Sequence, residues 1–194
     1  MSITKNLRAV YAMASPENIA EGKQWYRQAS TFCYDVMRKA NNPVVTVSRV
    51  AGVVACLSPQ CSWPVNKRAA STLILSGECT GYTGYKVNIA KATRILSGED
   101  IETVLGKGSR YGAKVRAFYD NILNPETSEL VTIDTHAIRA AYDIADVPRE
   151  LIRAVFESKL NVEVQQAYCK VAKEYNLRPC EFQAIVWLTV KDNL

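Results

Sequence analysis

The sequence predicts an all-α fold, on three observations. Apolar residues recur at spacings of three, four and seven through nearly every segment, as they do on helices with one buried face. Those segments open on capping residues or proline and close on glycine or Asn-Pro. The connections are short, which favours one compact set of packed helices, and no internal repeat or low-complexity tract interrupts the pattern.

The elements follow in order. After a short N-terminal helix, Ser15 and Pro16 form a cap and a first-turn proline. The helix they open carries Ile19, Tyr26, Ala29, Cys33, Val36 and Ala40 on one face and stops at Asn41-Asn42-Pro43. From Ser48 the run VSRVAGVVACL is apolar almost all round, so a helix there is surrounded by others. Its valines would also suit a strand; its alanines favour the helix. Ser58-Pro59 ends it, a Gln60-Cys61-Ser62-Trp63 loop follows, and Pro64 opens a helix that Gly77 closes. The loop GYTGY leads to a helix with Tyr85, Ile89, Ala92 and Leu96 in register, ended by Gly98. A short helix around Ile101, Val104 and Leu105 runs into a glycine-rich loop, and Val115, Phe118, Tyr119 and Ile122 define the buried stripe of the next helix. After Asn124-Pro125, Val131-Thr132-Ile133 approaches Asp134 in extended form, and THAIRAAYDIA buries Ile138, Ala141, Tyr142 and Ala145. Helices then follow around Leu151 to Phe156, through Val164, Tyr168, Val171 and Tyr175, and from Phe182 to Val190.

A chain of 194 residues buries a sizeable core without external staples. Its six cysteines show no tight framework and four lie inside apolar helical patterns, so reduced thiols in a cytoplasmic protein are expected. His136 is the only histidine, which excludes a zinc site built on two or three imidazoles; a four-cysteine site lacks the close spacings it favours. No metal and no cofactor are expected. The N-terminus carries Lys5 and Arg8 but no continuous apolar run, and no stretch approaches the roughly 20 apolar residues of a membrane span. A protein without membrane contact, and a monomer, is the expectation.

Net charge +5 and a pI near 8.9 suit a polyanionic partner. Between Lys107 and Arg116 stand four cations (Lys107, Arg110, Lys114, Arg116) and no acid, interrupted by glycines that include Gly108 and Gly112. Backbone amides among cations make a phosphate cradle; the same composition also suits a solvated loop before a helix. Asp134 precedes a helix, where an aspartate is a good N-cap, although Thr132 is a second candidate for that role. Lys114 begins the preceding helix, as a solvated amine or as a reactive one.

Four segments in sequence carry a resemblance. LSPQCSWPVNKRA, GYKVNIAKATRIL, GAKVRAFYDNI and VTIDTHAIRAAYDI are similar, in order and spacing, to motifs of endonuclease III and its relatives, the HhH-GPD DNA glycosylases. The first matches an LSxQ turn before a VNK-bearing helix, the third a GxKTA helix, and the fourth a VDTHVxRVxxRLG element; AIVWLTVKDN fits the last core helix more weakly. The resemblance implies two helical lobes around a central cleft, one at about residues 44–130 with a degenerate hairpin, the other at about 1–43 with 131–194.

It further implies base excision from DNA, as in repair. Asp134 would be the catalytic carboxylate and Lys114 the nucleophilic amine of a glycosylase with abasic-site (AP) lyase activity. DNA would be the partner, met by Gln60, Trp63, Asn66, Lys107, Gly108, Arg110, Tyr111, Gly112 and His136, with Gln60 filling the gap left by an extruded base. The chemistry suits these residue types: a carboxylate stabilises the positive charge that develops on the sugar, and an unprotonated amine forms a Schiff base that permits elimination.

Three departures accompany the resemblance. LGKGSRYGAK is longer than the family's LPGVGxK hairpin and lacks its proline; the four clustered cysteines of an iron–sulfur cluster are missing; and Pro59 and Trp63 replace smaller residues. Trp63 suits either stacking on a base or a place in the core. Two other readings stay open. Some bacteriophage enzymes that hypermodify thymine in DNA, the glutamyl- or putrescinyl-thymine pyrophosphorylases, resemble glycosylases without the hairpin; alternatively, the chain is a non-catalytic binding module on the same fold.

Overall fold

The structure, a computed structural model, describes residues 2–107, 112–157 and 159–193, with Glu157 described in its backbone alone. Among these, every regular element is a helix: α1 (Ile3–Ala12), α2 (Pro16–Ala40), α3 (Val47–Leu57), α4 (Trp63–Ser76), α5 (Lys86–Leu96), α6 (Ile101–Val104), α7 (Ala113–Leu123), α8 (Thr135–Tyr142), α9 (Arg149–Glu157), α10 (Leu160–Glu174) and α11 (Pro179–Asn193). The expected starts and stops operate. Ser15 Oγ accepts the Asn18 amide at the head of α2, Thr46 accepts that of Arg49 at the head of α3, and Gly77 closes α4 at φ 78°. None of the described helices is long and apolar enough to cross a membrane.

The chain divides into two compact units, unit 1 from Met1–Gln28 with Asn124–Leu194 and unit 2 from Ala29–Leu123. The first boundary falls inside α2, where no loop signal marks it.

In unit 1, α8 packs against α1 and α11, and α10 packs against α1, α9 and α11. Leu7 and Val10 of α1, Ile138 of α8, Val164, Tyr168 and Val171 of α10, and Phe182 and Val186 of α11 form its core. Gly22 lets α2 lie against α11, because a Cβ there would stand 2.7 Å from the backbone nitrogen of Ile185. Ala145 is exposed although the spacing placed it in the core, because Asp143 turns left-handed at φ 55° and stops α8 at Tyr142.

Unit 2 is organised around α3, which packs on α4, α5 and α7 and is buried from Val50 to Leu57. An element enclosed on all sides explains its unbroken apolar run. The register expected for α5 shifts: Asn88, Ala92 and Ile95 are its buried residues, and Tyr85, standing outside the helix as N-cap, is 60% exposed.

Four charged groups tie unit 1 together at its surface. Glu126, in the segment before α8, accepts from Arg27 of α2 and from Arg178, and Arg178 also pairs with Glu181 of α11. The Arg27 and Arg178 guanidiniums hold the Glu126 carboxyl down to about 2 from an ordinary 4.5. Because the folded value lies below the unfolded one, Glu126 contributes stability that is fully present above about pH 4.5 and lost as the pH falls through about 2. Urea midpoints of wild type and Glu126→Gln, measured at stepped pH, should differ at neutrality and converge on acidification. Parallel curves throughout would remove Glu126 from the acid sensitivity.

Candidate functional site

The extended segment Val131–Ile133 is buried at all three residues and delivers the chain to Asp134, the N-cap of α8. Asp134 Oδ1 accepts the Ala137 N–H at 2.8 Å, one of the first-turn amides that have no partner within a helix. Among the described residues Oδ2 receives no hydrogen bond, and the residue is half-buried. The side chain is therefore anchored through one oxygen. Thr132 does not cap: it is buried, with Oγ1 3.1 Å from the Tyr26 hydroxyl, which donates at 2.7 Å to Gln183 Oε1.

His136 lies one residue into α8, half-buried, its ring edge-on to Trp187 with centroids 6.4 Å apart. Its Nδ1 is buried with no hydrogen-bond partner among the described residues. Trp187 also meets Trp25 at 6.0 Å and carries the Lys191 ammonium 5.3 Å over its ring. The first turn of α8 thus borders an aromatic and cationic patch that includes two tryptophans the motif reading did not single out.

Lys114 is the second residue of α7 and is half-buried. Phe118, Tyr119 and Ile122 hold α7 in unit 2, and the Tyr119 hydroxyl meets Ser48 Oγ of α3 at 2.6 Å. Gly112, just before the helix, is buried where a Cβ would collide with the Leu105 carbonyl oxygen and the Arg116 guanidinium. That close approach, rather than open loop flexibility, accounts for the glycine. Arg116 Nη1 donates to the Gly106 carbonyl, and Lys107 is exposed. Gly108, Arg110 and Tyr111 lie outside the described residues. Asp134 belongs to unit 1 and Lys114 to unit 2.

The turn between α3 and α4 carries the remaining candidates. Gln60 is exposed and adopts φ 58°, a left-handed conformation that costs a non-glycine residue about 1–2 kcal/mol and is found more often at functional turns. Trp63, the first residue of α4, is half-buried, set edge-on to Phe32 at 5.9 Å, with the Lys67 ammonium 5.5 Å over its ring. It is neither fully enclosed nor fully presented. Asn66 is 1% exposed, and its Nδ2 donates at 3.0 Å to the carbonyl of Val54. That carbonyl stands in the last turn of α3, where the Ser58 amide has turned to Ala55 instead. Asn66 therefore ties the start of α4 to the end of α3 and holds the turn that displays Gln60. The position is enclosed, and Asn66 Oδ1 is buried with no hydrogen-bond partner among the described residues.

All six cysteines are free thiols, and burial raises every one of them, Cys33 and Cys56 to about 12 and Cys180 to about 11. Among the described residues, no three His, Cys, Asp or Glu side chains gather to hold a metal ion.

Taken together, these features define an all-helical protein of two units whose described candidate side chains stand largely at helix starts and in the turns before them. The chain belongs to a family of unknown function, DUF7178, whose model matches residues 1–194. No curated protein matches it, and no solved structure does.

Replacing Asn66 with Ala leaves the Val54 carbonyl buried without its donor, a loss of about 1–3 kcal/mol. Urea denaturation should show that loss; unchanged stability would mean that the bond does not hold the turn.

Proposed function

We propose that this protein is a DNA base-excision enzyme, a glycosylase with AP lyase activity, in which Asp134 supplies the carboxylate and Lys114 the amine. The observation that carries the reading is Asp134 at the start of α8, fixed through Oδ1 with Oδ2 unengaged among the described residues, within a segment that resembles the glycosylase VDTH element. Lys114 supports it from the equivalent of the GxKTA helix, at the half-exposed start of α7. Gln60 supports it from an exposed, strained turn suited to entering a base stack.

In this mechanism the target base leaves the stack and its N-glycosidic bond breaks, with the bonding electrons departing on the base. The positive charge left on the sugar is stabilised by the Asp134 carboxylate. Unprotonated Lys114 Nζ bonds to the sugar carbon; ring opening gives an imine, loss of a neighbouring proton expels the strand phosphate, and water then releases the amine.

A second reading, transfer of an amine onto an activated hydroxymethyluracil in DNA, is favoured by the Leu105–Lys114 interval, which is longer than a phosphate-gripping hairpin and lacks its proline. There the carbon–oxygen bond to pyrophosphate breaks as a carbon–nitrogen bond forms, and the cations from Lys107 to Lys114 receive the leaving pyrophosphate.

The test is borohydride trapping. The protein is incubated with oligonucleotides bearing an abasic site, oxidised pyrimidines or oxoguanine, and borohydride is added to reduce any imine. A covalent adduct that Lys114→Ala abolishes is the expected result. Without an adduct, pyrophosphate released from activated hydroxymethyluracil DNA moves the assignment to the transferase, and DNA binding with neither reaction leaves a non-catalytic module.

A further inference from the structure

We infer that Tyr168 and Tyr26 are positioning residues for Asp134, two buried phenols that hold the chain on either side of its carboxylate, one at a backbone carbonyl and one at the Thr132 side chain. The inference rests on the catalytic reading of Asp134 given above and extends it to residues of α2 and α10.

Tyr168 of α10 is fully buried, and its hydroxyl donates to the Ala137 carbonyl at 3.1 Å. Ala137 is the residue whose own N–H holds Asp134 Oδ1. A carbonyl oxygen has two lone pairs, so the phenol adds to the helical bond there rather than replacing it. The first turn of α8 is therefore gripped at the residue that aims the carboxylate.

Tyr26 of α2 acts on the other side. Its hydroxyl joins Thr132, two residues before Asp134, to Gln183 of α11, and all three side chains are buried. The extended segment entering α8 is thereby held against two other helices.

Phenylalanine would fill both places without burying a hydroxyl, since burial of a polar group is unfavourable unless it is paired. What each hydroxyl adds is direction: a hydrogen bond fixes angle and distance where apolar packing tolerates sliding. Burial raises the Tyr168 phenol well above its ordinary value, and the nearby Asp134 charge raises it further, so it remains a protonated donor.

The experiment compares wild type, Tyr168→Phe and Tyr26→Phe in three measurements. These are single-turnover base release from the oxidised-pyrimidine and oxoguanine oligonucleotides, the dissociation constant for the same DNA, and amide hydrogen exchange along α8. Each variant should release base more slowly by about tenfold to a hundredfold, the scale set by small misplacements of reacting groups, with DNA affinity unchanged. In Tyr168→Phe the Ala137 amide should exchange faster while the core amides of α10 and α11 keep their protection. Wild-type rates in both variants overturn the inference. So does a rate loss in which all core amides lose protection together, because that is general destabilisation. If wild type releases no base from any of these oligonucleotides, the catalytic reading of Asp134 has failed, and the inference falls with it.

Discussion

The hydrogen bond from the Ala137 amide to Asp134 Oδ1 fixes both the start of α8 and the aim of the carboxylate on which the proposed function rests. As a cap it satisfies an amide that the helix cannot, a contribution of about 1 kcal/mol. As a tether it removes the freedom of a carboxylate that would otherwise rotate in solvent. A helix of eight residues is too short to persist alone, so α8 depends on its ends and its neighbours. Asp134 closes one end. At the other, Asp143 turns left-handed and Asn6 of α1 donates to the Ala141 carbonyl at 2.9 Å. Ile138 and Ala141 then lock the helix into the core between α1 and α11.

The same economy governs unit 2, where α3 is the hub and the polar residues beside it hold turns. Asn66 finishes the last turn of α3, Ser48 meets Tyr119 of α7, and the loop before α5 closes over Pro59, leaving no room for a Cβ at Gly84 beside the Tyr82 hydroxyl. Lys114, Trp63 and Asp134 all stand in the first turn or cap of a helix. Helix N-termini offer free amides and a positive dipole, which suits a phosphate-bearing partner.

Much of this helical architecture is legible in the sequence because capping chemistry and three-to-four spacing are local. Ser15-Pro16, Gly77 and the Ile138–Ala141 pair announce themselves without tertiary information. The spacing assigns Tyr85 and Ala145 to buried faces, but one stands before the first turn of α5 and the other beyond the last turn of α8, where a residue no longer belongs to a helix face. For the candidate site, Asp134 and Lys114 stand out through motif and position. The hydroxyls of Tyr26 and Tyr168 do not, because spacing marks both as core and cannot reveal that the phenol reaches Thr132 or Ala137. Asn66 shows the converse. The resemblance implies that it meets DNA, and the structure adds that its Nδ2 reaches the end of α3, a relation between two helices that no single stretch of chain contains.

The central claim is that the Asp134 carboxylate has a chemical role separable from its cap. Asn serves as an N-cap about as well as Asp, so Asp134→Asn tests the two apart. Measured side by side, the unfolding free energy of this variant from urea denaturation should stay within about 0.5 kcal/mol of wild type, while single-turnover base release falls by about a hundredfold or more. Full base release in a stably folded Asp134→Asn protein would contradict the account and leave Asp134 as a helix cap alone.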